Sequence, residues 1–150
     1  MLRYIRETPA QVRANIENGQ ELTKRMVELY LARPYRTVWL VACGSSCNAG
    51  YCARYYMKQY LGVEVKIVTP FTFNHYEHDM TPDDFVVCIS QSGCSTNTIE
   101  SLQLCRKLGI HAIGLTGNIH SDFETEADEV IDFGLGGEKL DFMRPMDRDD

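Results

Sequence analysis

The residues Ser90-Gln91-Ser92-Gly93-Cys94-Ser95-Thr96-Asn97-Thr98 concentrate hydroxyls, primary amides and one glycine in a single stretch. They follow the apolar run Phe85-Val86-Val87-Cys88-Ile89 and precede a helical pattern. A buried strand therefore delivers a set of small hydrogen-bond donors to the start of a helix. The first-turn N–H groups of a helix have no intrahelical partner, and the helix dipole places partial positive charge at that end. Hydroxyls and free amides converging there make an anion site. The stretch holds no lysine or arginine, so the chemistry it fits is a small phosphate ester held by neutral donors.

A second loop has the same character. Cys43-Gly44-Ser45-Ser46-Cys47-Asn48 lies between the apolar run Thr37 to Ala42 and another helical pattern. A serine-rich turn alone is explained by helix capping; two on one sheet edge call for a ligand. Gly44 and Gly50 do not form G-x-G-x-x-G, and no G-x-x-x-x-G-K-[ST] occurs, which excludes dinucleotide and triphosphate fingerprints. Ser90 stands two residues before Ser92, so the G-x-S-x-G hydrolase elbow is absent as well.

The elements that must carry these loops alternate along the chain. A helix is expected from the Thr8-Pro9-Ala10-Gln11 signal, a capping threonine followed by a first-turn proline and a glutamine. Its stripe is Val12, Ile16, Leu22, Met26 and Leu29 or Tyr30, weakened at Asn18-Gly19 and stopped before Pro34. Thr37–Ala42 is apolar on nearly every residue, the pattern of a strand covered on both faces. A second helix places Ala49, Cys52, Ala53, Tyr56, Met57 and Tyr60 on one face and ends at Gly62. Val63–Val68 is a strand, and Pro70–Asp84 is read as irregular with a turn at Thr81-Pro82-Asp83-Asp84. Then follow a strand at Phe85–Ile89 and a helix capped by Ser95 or Thr96, facing Ile99, Leu102, Cys105 and Leu108 inward. A strand at Ile110–Leu115, a short helix within Ser121–Ala127 and a last strand at Glu129–Phe133 complete the pattern. Such alternation yields βαβ units and a parallel sheet between two layers of helices. Ligands of these sheets bind at the carboxyl ends of the strands, where strand order reverses.

Composition sets the class. At 150 residues, 44% hydrophobic and 24% charged, the chain can bury a core without disulfides. A net charge of −6 provides no basic face for nucleic acid. No apolar run reaches the roughly 20 residues of a membrane span, and the amino-terminal residues lack a secretory h-region. The expected location is the cytoplasm. The six cysteines show neither C-x-x-C nor a His-x-x-x-His partner, so no metal or other cofactor is expected. Cys43, Cys52, Cys88 and Cys105 are read as small core hydrophobes, while Cys47 and Cys94 lie in the two loops.

The pairing of Cys43-Gly44-Ser45-Ser46 with Ser90-Gln91-Ser92-Gly93-x-Ser95 resembles the sugar isomerase (SIS) domain. The resemblance covers roughly residues 37 to 140 and implies a three-layer αβα sandwich on a five-stranded parallel, flavodoxin-like sheet, preceded by an amino-terminal helix. It implies phosphosugar binding, with phosphate contacts at Ser46, Ser90, Gln91, Ser92 and Ser95 and the sugar against Gly44, Ser45 and Gly93. Hydroxyl and amide donors suit phosphate oxygens, each bond contributing on the order of 1 kcal/mol net. The implied division is a helical lead-in over 1–35, the SIS domain over 36–142 and a charged tail over 143–150.

Tandem members of the family, such as the isomerase half of glucosamine-6-phosphate synthase and the fructoselysine-6-phosphate deglycases, are the nearest pattern, with the deglycase branch the closer. Their catalytic glutamate and ring-opening histidine belong to a second SIS half, so no residue here inherits those roles. Cys94 stands where the synthase often has glutamate and is read as a plain side chain beside the phosphate. Glu138-Lys139-Leu140-Asp141-Phe142 resembles the approach to the tandem linker, then departs from it at Met143-Arg144-Pro145. His75, Glu77 and His78 are read as solvated loop residues, and His111 and His120 as structural or exposed. The expected activity is that of a phosphosugar-binding part of an aldose–ketose isomerase or deglycase. The alternative is a non-catalytic phosphosugar sensor, or a thiol enzyme using Cys94 or Cys47. The expected partner is a second copy or a second SIS domain, seated on Tyr55, Tyr56, Tyr60 and the lead-in helix.

Overall fold

In the structure, a computed structural model describing residues 2–134, five strands form one parallel sheet in the order β2-β1-β3-β4-β5. The strands are β1 (Thr37–Val41), β2 (Glu64–Val68), β3 (Phe85–Ser90), β4 (Ala112–Thr116) and β5 (Glu129–Asp132). The helices are α1 (Leu2–Glu17), α2 (Gly19–Leu31), α3 (Gly44–Leu61), α4 (Pro70–His75), α5 (Thr96–Lys107) and α6 (Phe123–Glu126). The segment Glu138–Phe142 and the tail from 143 lie outside the described residues.

Strand periodicity sorts the core into two layers. Trp39, Val41, Val86 and Cys88 point to the face covered by α4, α5 and α6, where Phe73, Leu102, Cys105 and Phe123 meet them. The alternate residues Val38, Leu40, Val65, Val87 and Ile113 point to the face covered by α2 and α3. Both faces of β1 are therefore buried, as its unbroken apolar run requires. The αβα sandwich expected from the sequence is present.

Several expectations are corrected. The single first helix is two, broken at Asn18, whose side-chain amide donates to the Ala14 carbonyl at 2.9 Å and closes α1. Thr8 is not a cap: α1 already runs from Leu2, and the Thr8 hydroxyl donates to the Tyr4 carbonyl at 2.7 Å. Proline at position 9 removes an N–H but does not stop the helix, whose preceding turn is tied by the Arg3–Glu7 pair at 2.7 Å. Of the expected stripe, Met26, Leu29 and Tyr30 pack on the sheet, whereas Val12 and Ile16 are exposed.

The α3 face is rotated from the one its apolar spacing indicates. Cys47, Gly50, Arg54, Met57 and Leu61 turn inward, while Ala49, Cys52, Ala53, Tyr56 and Tyr60 face solvent. Gly50 explains the rotation, because a Cβ there would press on the Ile67 side chain at 3.3 Å and lift the helix off β2. Arg54 follows inward by its stem, donating to the Val65 carbonyl at 2.7 Å and to Glu64 at 2.8 Å. Of the cysteines expected in the core, Cys88 and Cys105 are buried but Cys43 and Cys52 are exposed.

The segment after β2 is not irregular throughout. The Thr69 side chain accepts a hydrogen bond from Thr72 N at 3.3 Å, Pro70 takes the first helical position, and α4 follows. Phe73 from α4 then stands edge-on to Trp39, centroids 5.6 Å apart.

Glu64 at the start of β2 gives the fold an acid-sensitive joint. Its carboxylate accepts from Lys58 and Arg54, both at 2.8 Å, and these bonds hold its pKa down to about 2. A carboxylate with a depressed folded-state pKa contributes stability above its unfolded pKa, and that stability is lost as pH falls toward the folded value. Thermal melting of the parent and of Glu64→Gln is therefore expected to differ near neutrality and to converge as pH drops from about 4.5 to about 2. A gap that stays constant over that window would show the bonds to be without effect on stability.

Candidate functional site

Strands β1 and β3 are paired in register Val41↔Cys88, so the chain leaves both at neighbouring points on one sheet edge. From β1 it turns directly into α3, and from β3 it passes through Gln91–Ser95 into α5. Strand order reverses here, since β1 connects to β2 on one side and pairs with β3 on the other. The two helix starts thus converge between β1 and β3. Gly44 at φ +59 and Gly93 at φ +69 make the two turns, a backbone region that favours glycine.

All eight singled-out residues lie on this edge. Ser46 is half-buried in the first turn of α3, next to the exposed Gly44 and Ser45. Ser90 is buried at the end of β3, where its hydroxyl accepts from Gly93 N at 3.2 Å. Gln91, Ser92 and Ser95 are half-buried. Ser92 Oγ accepts from Cys94 N at 3.2 Å, a local turn bond that leaves its own hydrogen available. Ser95 occupies the N-cap position of α5, but its side chain makes no cap bond; its oxygen accepts from Thr98 Oγ1 at 3.1 Å. The first-turn N–H groups of α5 therefore keep their donor capacity, as do those of α3, whose N-cap Cys43 also lacks a side-chain cap bond.

The loop Gln91–Ser95 is braced by the end of β4, which sequence reasoning read only as a strand end. The Gln91 carbonyl accepts from Gly117 N at 3.1 Å and from Thr116 Oγ1 at 3.3 Å. The place of a Cβ on Gly93 is filled by the Ser121 hydroxyl. That hydroxyl is the one buried side-chain polar atom without a hydrogen-bond partner among the described residues. A signal was available, because Thr116-Gly117-Asn118 followed by Ser121 is a third hydroxyl-bearing turn at a strand end.

Neither loop contains a lysine, arginine, histidine or carboxylate, so what the two loops offer a ligand is dipoles and hydroxyls. Burial, and next the neighbouring Cys43, push the Cys47 thiol up, which counts against it as a nucleophile. Cys94 is exposed, with its sulfur 3.4 Å from the Ser92 carbonyl oxygen. His75 ends α4 and is exposed, like His78, His111 and His120, while Glu77 is half-buried. Among the described residues no cluster of metal-ligating side chains occurs.

Gly93 offers a direct test of this geometry. Gly93→Ala combines a left-handed backbone with overlap onto Ser121, so the loop must shift. We expect a stability loss of about 2 kcal/mol or more in chemical denaturation, with Ser121→Gly recovering part of it. Absence of recovery in the double variant would show that the two loops are not in contact.

A family model for the SIS domain matches residues 32–139. The glutamine–fructose-6-phosphate aminotransferase (isomerizing) of Aquifex aeolicus is 28% identical over 138 residues, 92% of this chain but 23% of that protein. The same-named protein of Pseudomonas putida is 30% identical over 115 residues, 73% of this chain and 19% of its own length. These relatives carry the aminotransferase name and not that of the deglycase branch. Among solved structures, the C-terminal domain of glucosamine-fructose-6-phosphate aminotransferase from Francisella tularensis matches with a TM-score of 0.63 and 27% identity, over 69% of this chain and 29% of that one. Glucosamine-6-phosphate deaminase from Thermotoga maritima matches in fold with a TM-score of 0.66 and 21% identity, over 89% of this chain and 42% of that one. The chain spans about a quarter or less of the length of these curated relatives. By its loops, its sheet and its match over most of its length, the chain belongs to the SIS domain family.

Proposed function

We propose that the edge between β1 and β3 binds a phosphosugar. The observation that carries this reading is the convergence of two helix starts, both without side-chain caps, on one charge-free edge rich in hydroxyls. In this reading Ser46, Ser90, Gln91, Ser92 and Ser95 hold the phosphate, and the sugar lies toward Gly44, Ser45 and Gly93. The chain is then the phosphosugar-binding part of an aldose–ketose isomerase or deglycase, its domain taken as residues 36–142 with a helical lead-in over 1–35. The names of its relatives support a sugar phosphate over other phosphate esters. Isomerisation needs a base beside the sugar carbonyl, and the two loops supply none, so that group comes from elsewhere in the assembly. The same absence favours one second reading, a sensor that binds without chemistry. A partner, either a second copy or a second SIS domain, belongs to the reading as the cover for the exposed tyrosines of α3. All six cysteines are free, which accords with a reducing, cytoplasmic setting.

Fructose 6-phosphate and glucosamine 6-phosphate are expected to raise the melting temperature where the free sugars do not. At a hundredfold excess over Kd the gain is about 2.7 kcal/mol. Equal shifts with and without phosphate would remove the anchor from these loops. Ser92→Ala is expected to weaken sugar-phosphate binding about tenfold, one charge-assisted bond of about 1.4 kcal/mol. It should cost no more than about 1 kcal/mol of stability, because its one protein bond is a half-buried turn contact. Calorimetric titration and melting of the same variant decide the matter: unchanged affinity with a lowered melting temperature would make the loop a structural turn.

A further inference from the structure

The side chain of Asn74 leaves its own helix and reaches across to α5. Its Nδ2 donates to the Asn97 carbonyl at 3.0 Å, and its Oδ1 accepts from the Ser101 hydroxyl at 2.6 Å. Ser101 is fully buried, and Asn97 and Ser101 lie on successive turns of α5. The helix that carries Asn74 is itself fixed, by the Thr69 cap, by the buried Pro70 and by Phe73 against Trp39. An asparagine serving only its own helix end would bond within four residues; this one closes links 23 and 27 residues away.

The Asn97 carbonyl belongs to the same planar peptide unit as the Thr98 N–H. Thr98 is the third residue of α5, so its N–H is one of the donors without an intrahelical partner at the proposed phosphate edge. Fixing the carbonyl end of that plane fixes the direction of the N–H, and hydrogen bonding at one end of an amide polarises the other. From the inside, Thr98 Oγ1 to Ser95 Oγ holds the same turn. We propose that Asn74 is a positioning residue of the phosphate site: from α4 it sets the orientation of the first-turn amides of α5. The inference rests on the reading of that edge as a phosphosugar site. It assigns α4 a role in ligand affinity although Asn74 need not touch ligand.

The test is calorimetric titration of the full chain with fructose 6-phosphate and, separately, inorganic phosphate. Asn74→Leu removes both of its bonds to α5. Ser101 is no control, because its hydroxyl lies 3.1 Å from the same Asn97 carbonyl; Cys105→Ala instead trims a buried side chain of α5 and leaves the bonds to that carbonyl in place. Asn74→Leu is expected to weaken both ligands about fivefold, since small misplacement of binding groups is costly. Cys105→Ala is expected to lower the melting temperature while changing affinity less than twofold. A merely structural Asn74 would lower the melting temperature and leave Kd unchanged, and that result overturns the inference while the phosphosugar reading stands. Equal losses of affinity in both variants would also overturn it, since general loosening of α5 would then suffice. A parent chain that binds neither ligand sinks the phosphosugar reading and the inference together. Should Asn74→Leu not fold, Asn74→Ser falls short of Asn97 and the same comparison applies.

Discussion

One buried carboxylate holds the frame on which the site depends. Asp84 sits just ahead of β3 with no exposed side-chain surface, and it is fully occupied. Arg36 approaches it through two bonds of 3.1 Å, Trp39 Nε1 donates at 3.2 Å and Thr81 N at 2.9 Å. The carboxylate beside it in turn raises the Arg36 guanidinium above its ordinary pKa. Arg36 immediately precedes β1, and its own N–H donates to the Asp83 carbonyl at 2.9 Å. The carboxylate therefore ties the entrances of β1 and β3, the two strands whose exits carry the phosphate loops. In a parallel pair the register set at one end is inherited at the other, and a slip of one residue would exchange the faces of every side chain. Removal of the carboxylate would leave the buried Trp39 N–H without its acceptor.

The same carboxylate reaches the opposite edge by a second route. It orients Trp39, whose ring meets Phe73 of α4 on one side and the Lys66 ammonium at 4.3 Å on the other. Through Phe73 the position of α4 relative to the sheet follows from the core, and α4 in turn contacts α5. The loop Gln91–Ser95 is thus braced from two flanks, by α4 through α5 and by the end of β4 through Gln91 and Gly93.

Strands and sheet class were legible because a strand buried on both faces leaves an unbroken apolar run, as at Thr37–Val41 and Phe85–Ile89. Helix faces were legible in part: α5 turns Ile99, Leu102 and Cys105 inward as its spacing indicates, though Leu108 at its end is exposed, whereas on α3 tertiary contact outranks side-chain hydropathy. Gly50 brings α3 close to Ile67 and so determines which face turns inward, a preference invisible in a count of apolar residues. The Thr-Pro signature shows the same limit from another side. At Thr8-Pro9 it falls inside a helix already begun, and at Thr69-Pro70 it starts one that the polar stretch after it disguised. Both loops could be read because their chemistry is dense in sequence. Of the bracing residues, Thr116 and Ser121 left the signal of a hydroxyl-bearing turn at a strand end, whereas Asn74 left none, since it matters through partners 23 and 27 positions along the chain.

The absence of fixed charge from the β1–β3 edge has a kinetic side. A lysine or arginine draws an anion from a Debye length away and loses its pull as salt rises. Peptide dipoles and hydroxyls act only within about one helical turn. Around them the chain carries a net charge of −6, which repels a phosphate ester at long range. A ligand of this edge would arrive by unguided encounter and be recognised only on contact. Its residence, set by these short-range contacts, would then vary little with the ionic strength of the surroundings, while its arrival would quicken as salt screens the repulsion.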